Sequence, residues 1–83
     1  MKKYLVDVYL PASGRHYDVC LPTGKQIGEA TLLLARMAES LSGGTYKGAA
    51  DAVLLDAISG KPFDRSYTVY YAGIRNASKL ILI

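Results

Sequence analysis

The chain has 83 residues, 51% of them hydrophobic, and carries ten Lys and Arg against seven Asp and Glu for a formal net charge of +3. That length admits a single domain, which buries only about 60% of its unfolded surface, and the apolar content excludes intrinsic disorder. One cysteine, Cys20, and one histidine, His16, exclude an intramolecular disulfide and a chain-local zinc site.

The opening "MKKYLVDVYLPASG" places two lysines before an apolar stretch, as a signal peptide does. Asp7 interrupts that stretch, however, and the alternation predicts a strand in a soluble, uncleaved chain. Over residues 3–10, Tyr4, Val6, Val8 and Leu10 share one face, and Lys3, Leu5, Asp7 and Tyr9 the other. "PASGR" supplies a turn, and "HYDVCLP" alternates again, with Tyr17, Val19 and Leu21 inward and His16, Asp18 and Cys20 outward. The two strands form a hairpin.

"TGKQIGEATLLLARMAESLSGG" predicts the one helix. Thr23 followed three residues later by Gln26 is a capping-box pattern. Ile27, Ala30, Leu34, Met37, Ala38 and Leu41 form an apolar stripe, and Gly43 and Gly44 stop the helix. Leu32 falls off the stripe and reads as a half-exposed leucine. Residues 45–51 are a loop. "AVLLDAI" predicts a third strand, with Val53, Leu55 and Ala57 inward and Leu54 outward. After the turn "SGKP", Phe63 starts a very short strand or plugs the core. "SYTVYYAGI" contains a short helical turn, and "KLILI" is the last strand. Apolar runs such as "TLLLA" fall far short of the ~20 residues of a membrane span.

Hairpin, helix, strand, turn and final strand make an α+β domain over 1–83, a β-grasp in ββαββ order with a mixed sheet packed on one helix. "SGKPF" followed by "TVYYAGIRNASKLILI" resembles ubiquitin from its third-strand turn onward. Val69 and Ile74 match apolar core positions, Gly73 sits where the chain needs a positive φ, and Leu80 and Leu82 match the inward positions of the last strand. The last third is also similar to the YukD/EsaB family, small bacterial ubiquitin-like proteins encoded with type VII (WXG100) secretion systems. Their ending of glycine, Ile, x, Asn, x, polar, basic, Leu, x, apolar, Leu reads here as Gly73 to Ile83, departing only at the last position.

The resemblance implies a cytoplasmic, non-enzymatic protein without cofactor, whose partner is a protein such as a membrane component of type VII secretion. The lone thiol agrees with a reducing compartment. Ubiquitin and the sulfur carriers act through a C-terminal Gly-Gly. This chain stops inside its strand at Ile83, and its Gly43–Gly44 pair is an internal helix stop, so conjugation and sulfur carriage are not expected of it. A longer natural chain ending in Gly-Gly would restore the carrier reading. A β-grasp adaptor unrelated to secretion is the other alternative.

Catalytic chemistry finds no constellation. A Cys20 nucleophile needs a base, and His16, four residues earlier on the same strand, lies ~13 Å away. His16 with Asp18 reads as ordinary strand polarity. The basic residues are scattered, with Lys2–Lys3 the only adjacent pair. Seven tyrosines suggest stacked bases, but Tyr4 and Tyr17 point inward, and Tyr67, Tyr70 and Tyr71 cluster at the helical turn without a basic groove. Nucleic acid is therefore not an expected partner. The candidate site is the sheet face away from the helix. There Leu5, Tyr9, Ile81 and Ile83 are expected to cluster, with Leu54 nearby and Asp56 as an interruption. Ubiquitin uses this same face for most of its recognition, and an apolar patch with a polar rim is an interaction signature. The free sheet edges are a further route to weak self-association.

Overall fold

A computed structural model describes residues 2–47 and 51–83; positions 48–50, in the expected 45–51 loop, lie outside the described residues. The elements are β1 (Lys3–Leu10), β2 (Arg15–Pro22), α1 (Ile27–Leu41), β3 (Leu54–Asp56) and β4 (Lys79–Leu82), in the expected ββαββ order. Among the described residues the sheet runs β2-β1-β4-β3. β1 is antiparallel to β2 and parallel to β4, and β3 is antiparallel to β4. This is a ubiquitin-like β-grasp.

Strand alternation sends Val6, Val8, Leu10, Leu21, Leu80 and Leu82 to one side, where all are buried. Helix α1 covers that side with Ile27, Ala30, Leu34 and Ala38, joined by Thr31 and Ala35. Thr31 is fully buried because its hydroxyl donates to the Ile27 carbonyl at 2.7 Å, which satisfies the polar atom. Met37 and Leu41, expected on the buried stripe, remain 45% and 54% exposed. At about 100° per residue Met37 falls just outside the arc centred on Leu34 and Ala38, and Leu41 belongs to the last turn.

The capping box does not form. Gln26 is the N-cap and makes no side-chain cap bond. The N–H groups of Ile27 and Gly28 donate instead to the carbonyls of Tyr67 (2.8 Å) and Arg65 (3.0 Å). The Thr23 and Lys25 carbonyls accept from Tyr70 and Val69. A distant loop thus closes the helix start, and Thr23 belongs to the connection that holds that loop.

The register of β3 also differs by one residue from expectation. Leu54 pairs with Leu82 and is buried, whereas Leu55 pairs with Ile81 on the opposite side, and Val53 is at the exposed margin. Four consecutive apolar residues, Ala52 to Leu55, carry no alternation of their own, so the inward Leu80 and Leu82 of β4 decide the parity. Phe63 packs against the core, and its N–H donates to the Leu54 carbonyl at 3.2 Å.

The segment before β4 explains the pattern in which it was recognised. Gly73 adopts φ 89° as expected, between buried Val69 and Ile74. Leu5 N–H donates to Asn76 Oδ1 at 2.9 Å, and Ala77 N–H donates to the Leu5 carbonyl at 2.8 Å. The Asn76 amide oxygen thereby stands in for a strand carbonyl and starts the β1–β4 ladder.

Candidate protein-interaction face

The side of the sheet opposite α1 is organised by cross-strand register into rows. One row runs His16–Tyr9–Ile81–Leu55 across all four strands. Alongside its Ile81–Leu55 pair, Val53 and Ile83 exchange both backbone hydrogen bonds at 3.0 Å, and both side chains are accessible, at 36% and 52%. Tyr9, Ile81 and Leu55 are each half-buried by their neighbours. Together these five side chains make one continuous apolar surface that no element covers among the described residues.

Of the residues expected here, Tyr9, Ile81 and Ile83 come together. Leu54 does not: it is a core residue, 2% exposed, and Leu55 takes its place. Leu5 is on the correct face and 51% exposed, but the row Asp18–Asp7–Lys79 separates it from Tyr9. It borders instead a shallow hollow whose rim also includes Asp7, Asp18, Asn76 and Lys79. Asp56 does not interrupt the apolar surface. It points to the other side, and its carboxylate accepts from the N–H groups of Ser59 (3.2 Å) and Ile58 (3.4 Å). Hydrogen bonding from Ser59 holds the Asp56 carboxyl below its ordinary value of 3.8.

The polar rim has its own logic. Asp7 and Asp18 are directly opposite, an unfavourable like-charge pair in an antiparallel ladder. His16 turns to Asp7, with Nδ1 at 3.0 and 3.1 Å from the two carboxylate oxygens. His16 and Asp18, read from the sequence as ordinary strand polarity, do not pair; the imidazole makes this diagonal contact instead and also lies 4.6 Å from the Tyr9 ring, centroid to centroid. Cys20 is opposite Leu5 and exposed, so the imidazole is committed elsewhere and does not face the thiol. Among the described residues no group of three His, Cys, Asp or Glu side chains converges as a metal site.

A second cluster escaped the sequence reading. The Arg75 guanidinium lies 4.2 Å from the Tyr70 ring centroid and 5.6 Å from that of Tyr4, and donates to the Tyr70 and Ile74 carbonyls at 2.9 and 2.7 Å. It is spent on holding the turn together. Only the adjacency of Tyr70 and Arg75 across Gly73 hinted at it. The signal for Leu55 was better: an antiparallel neighbour of β4 must share its parity.

The geometry is that of a ubiquitin-like domain with an open, partly apolar sheet face. No protein-family model matches the sequence, and no curated protein matches it. Solved structures do. The whole chain superposes on a chain of the MycP5-free ESX-5 inner membrane complex with a TM-score of 0.81 and 13% identity, spanning 21% of that chain. It also matches the ubiquitin-like domain of the Mycobacterium tuberculosis type VII secretion system protein EccD1, with a TM-score of 0.68 and 15% identity over 100% of this chain and 99% of that one. Caldiarchaeum subterraneum ubiquitin gives 0.76 at 12% identity, over 99% and 92% of the two chains. Identities this low make the likeness one of fold. The set includes both secretion-associated domains and a ubiquitin.

Proposed function

We propose that this chain is a non-catalytic, ubiquitin-like interaction protein of type VII secretion, which docks its open sheet face on a protein of the secretion apparatus at the cytoplasmic side. The observation that carries the reading is the apolar row Tyr9–Ile81–Leu55, extended by Val53 and Ile83, on the one sheet face that the helix leaves free. A flat apolar centre bordered by Asp7, Asp18, His16 and Lys79 suits a protein surface better than a small molecule. Structural neighbours from type VII secretion support the choice of apparatus, and the Gly73–Ile83 pattern supports it independently.

The test is affinity capture from the source cell with the unmodified chain, an Ile81→Lys chain and a Leu55→Lys chain as parallel baits. The expected outcome is recovery of a membrane component of the secretion system by the unmodified bait alone, with all three baits equally folded by circular dichroism. Equal recovery by the three baits would remove the sheet face from the proposal. Recovery of partners with no relation to secretion would favour a general β-grasp adaptor.

A further inference from the structure

The two edges of the sheet are treated differently. The outer side of β3 is closed by its own chain: Asp56 N–H donates to the Lys61 carbonyl at 2.9 Å, Phe63 N–H to the Leu54 carbonyl at 3.2 Å, and Leu55 bridges to Pro62. The outer side of β2 has no strand beyond it among the described residues. Thr23 N–H donates to the Lys2 carbonyl at 3.0 Å, one step past the Lys3–Pro22 pair, and this sets the alternation of the ladder. Val8–Tyr17, Val6–Val19 and Tyr4–Leu21 are then the doubly bonded pairs, so the N–H and C=O groups of His16, Asp18 and Cys20 point outward. Beside this edge, α1 leaves Leu33, Met37 and Leu41 45%, 45% and 54% exposed, at i, i+4, i+8. The cleft between Met37, Leu41, Tyr17 and Val19 holds only about 20 Å³, too little for a ligand, so the flank offers packed side chains to another surface.

We infer that β2 pairs antiparallel with β2 of a second copy of this chain, joining two four-stranded sheets into one of eight strands, with the two α1 flanks meeting beside the seam. Residues directly opposite across the seam must share a face, which leaves few registers. Placing Asp18 opposite its own copy sets two carboxylates against each other. Placing Val19 opposite its copy sets Pro22, which has no N–H, against His16 and forfeits bonds. Placing Tyr17 opposite its copy sets His16 against Asp18 of the other chain, twice, with full backbone bonding between them and neither a like-charge pair nor a proline in the seam. Freedom from both conflicts selects this last register. The two-fold axis then passes beside Tyr17, where Met37 and Leu41 of both copies lie close by. Both open faces stay free and point the same way, so the assembly is bivalent for whatever the sheet face binds. Such an interface lies at the small end of protein–protein contacts, with Kd on the order of micromolar.

Sedimentation velocity over a concentration series measures the dimer directly. Asp18→Pro leaves the β1–β2 ladder intact, because the N–H it removes points outward, and Met37→Glu changes an exposed helix position. Each is expected to raise the dimer Kd roughly tenfold or more with an unchanged folded-state spectrum. Should Asp18→Pro unfold, Met37→Glu carries the test. The register is read by cross-linking. Tyr17→Cys in a Cys20→Ser background brings two thiols together at a Cα separation of ~4.5 Å and should oxidise to a covalent dimer. The native Cys20 residues, six residues out of register and ~20 Å apart, should not. A chain monomeric at every concentration overturns the inference, as does a dimer insensitive to both substitutions or one cross-linked through Cys20. A monomer that captures an unrelated valine-rich peptide along β2 also overturns it, assigning the edge to a foreign strand.

Discussion

Ala77 has φ 67°, the one positive-φ position among the described residues that is not glycine. Two bonds hold it there: its own N–H to the Leu5 carbonyl, and the preceding Asn76 Oδ1 to the Leu5 N–H. A Cβ in the left-handed region costs ~1–2 kcal/mol, and glycine gives part of that back as unfolded-chain entropy. Ala77→Gly is therefore expected to stabilise the domain by about 0.5–1 kcal/mol and to raise Tm by a few degrees in thermal unfolding followed by circular dichroism. A fall in Tm would mean that the position is unstrained. At this scale the sequence was partly legible. Gly73 announced its conformation by its side-chain absence, whereas nothing in the string "NASK" distinguishes the alanine that bears strain from an ordinary one.

At the scale of elements, legibility followed periodicity. β1 and β2 alternate over eight residues each and were placed within a residue of their observed limits. β4 was legible from the inward leucines Leu80 and Leu82. β3 is three residues long inside an unbroken apolar run, so its faces are set by a partner remote in sequence. The helix start failed for a related reason: its free N–H groups are closed by Arg65 and Tyr67, about forty residues away, and local capping patterns carry no information about such a loop. The candidate site inherited the β3 error through Leu54. A pair of truncations reads the register out. Leu54→Ala removes a side chain that is 2% exposed and is expected to cost about 2–5 kcal/mol. Leu55→Ala, on the open face, should cost less than ~1.5 kcal/mol. Chemical denaturation of the two variants checks this, and the reverse ordering would return Leu54 to the surface.

For the molecule as a whole, two aspartates, half-buried Asp56 and exposed Asp64, fasten the segments that the sheet and helix depend on. Asp56 accepts from Ser59 and Ile58 in the turn that leads to Lys61–Phe63, the segment covering β3. Asp64 accepts from the Ser66 hydroxyl at 2.7 Å and its N–H at 2.9 Å, shaping the loop whose Arg65 and Tyr67 carbonyls close α1. Both carboxyls are held below their ordinary value of 3.8, chiefly by hydrogen bonds from Ser59 and Ser66 respectively. A carboxyl whose folded value is depressed contributes stability that is fully present above the unfolded value and is lost as pH falls through the folded one. The loss therefore belongs to the range below about pH 4. Protonation there also leaves the ten Lys and Arg charges without opposing carboxylates. Melting curves at about pH 6, 4 and 2.5 are expected to show little change over the first interval and a clear fall over the second. The Asp56→Asn, Asp64→Asn double variant separates the two causes. If the turns matter, it starts less stable near neutrality and falls less steeply in acid, because the groups that would be protonated are gone. If general charge repulsion is the whole effect, its acid fall parallels that of the unmodified chain.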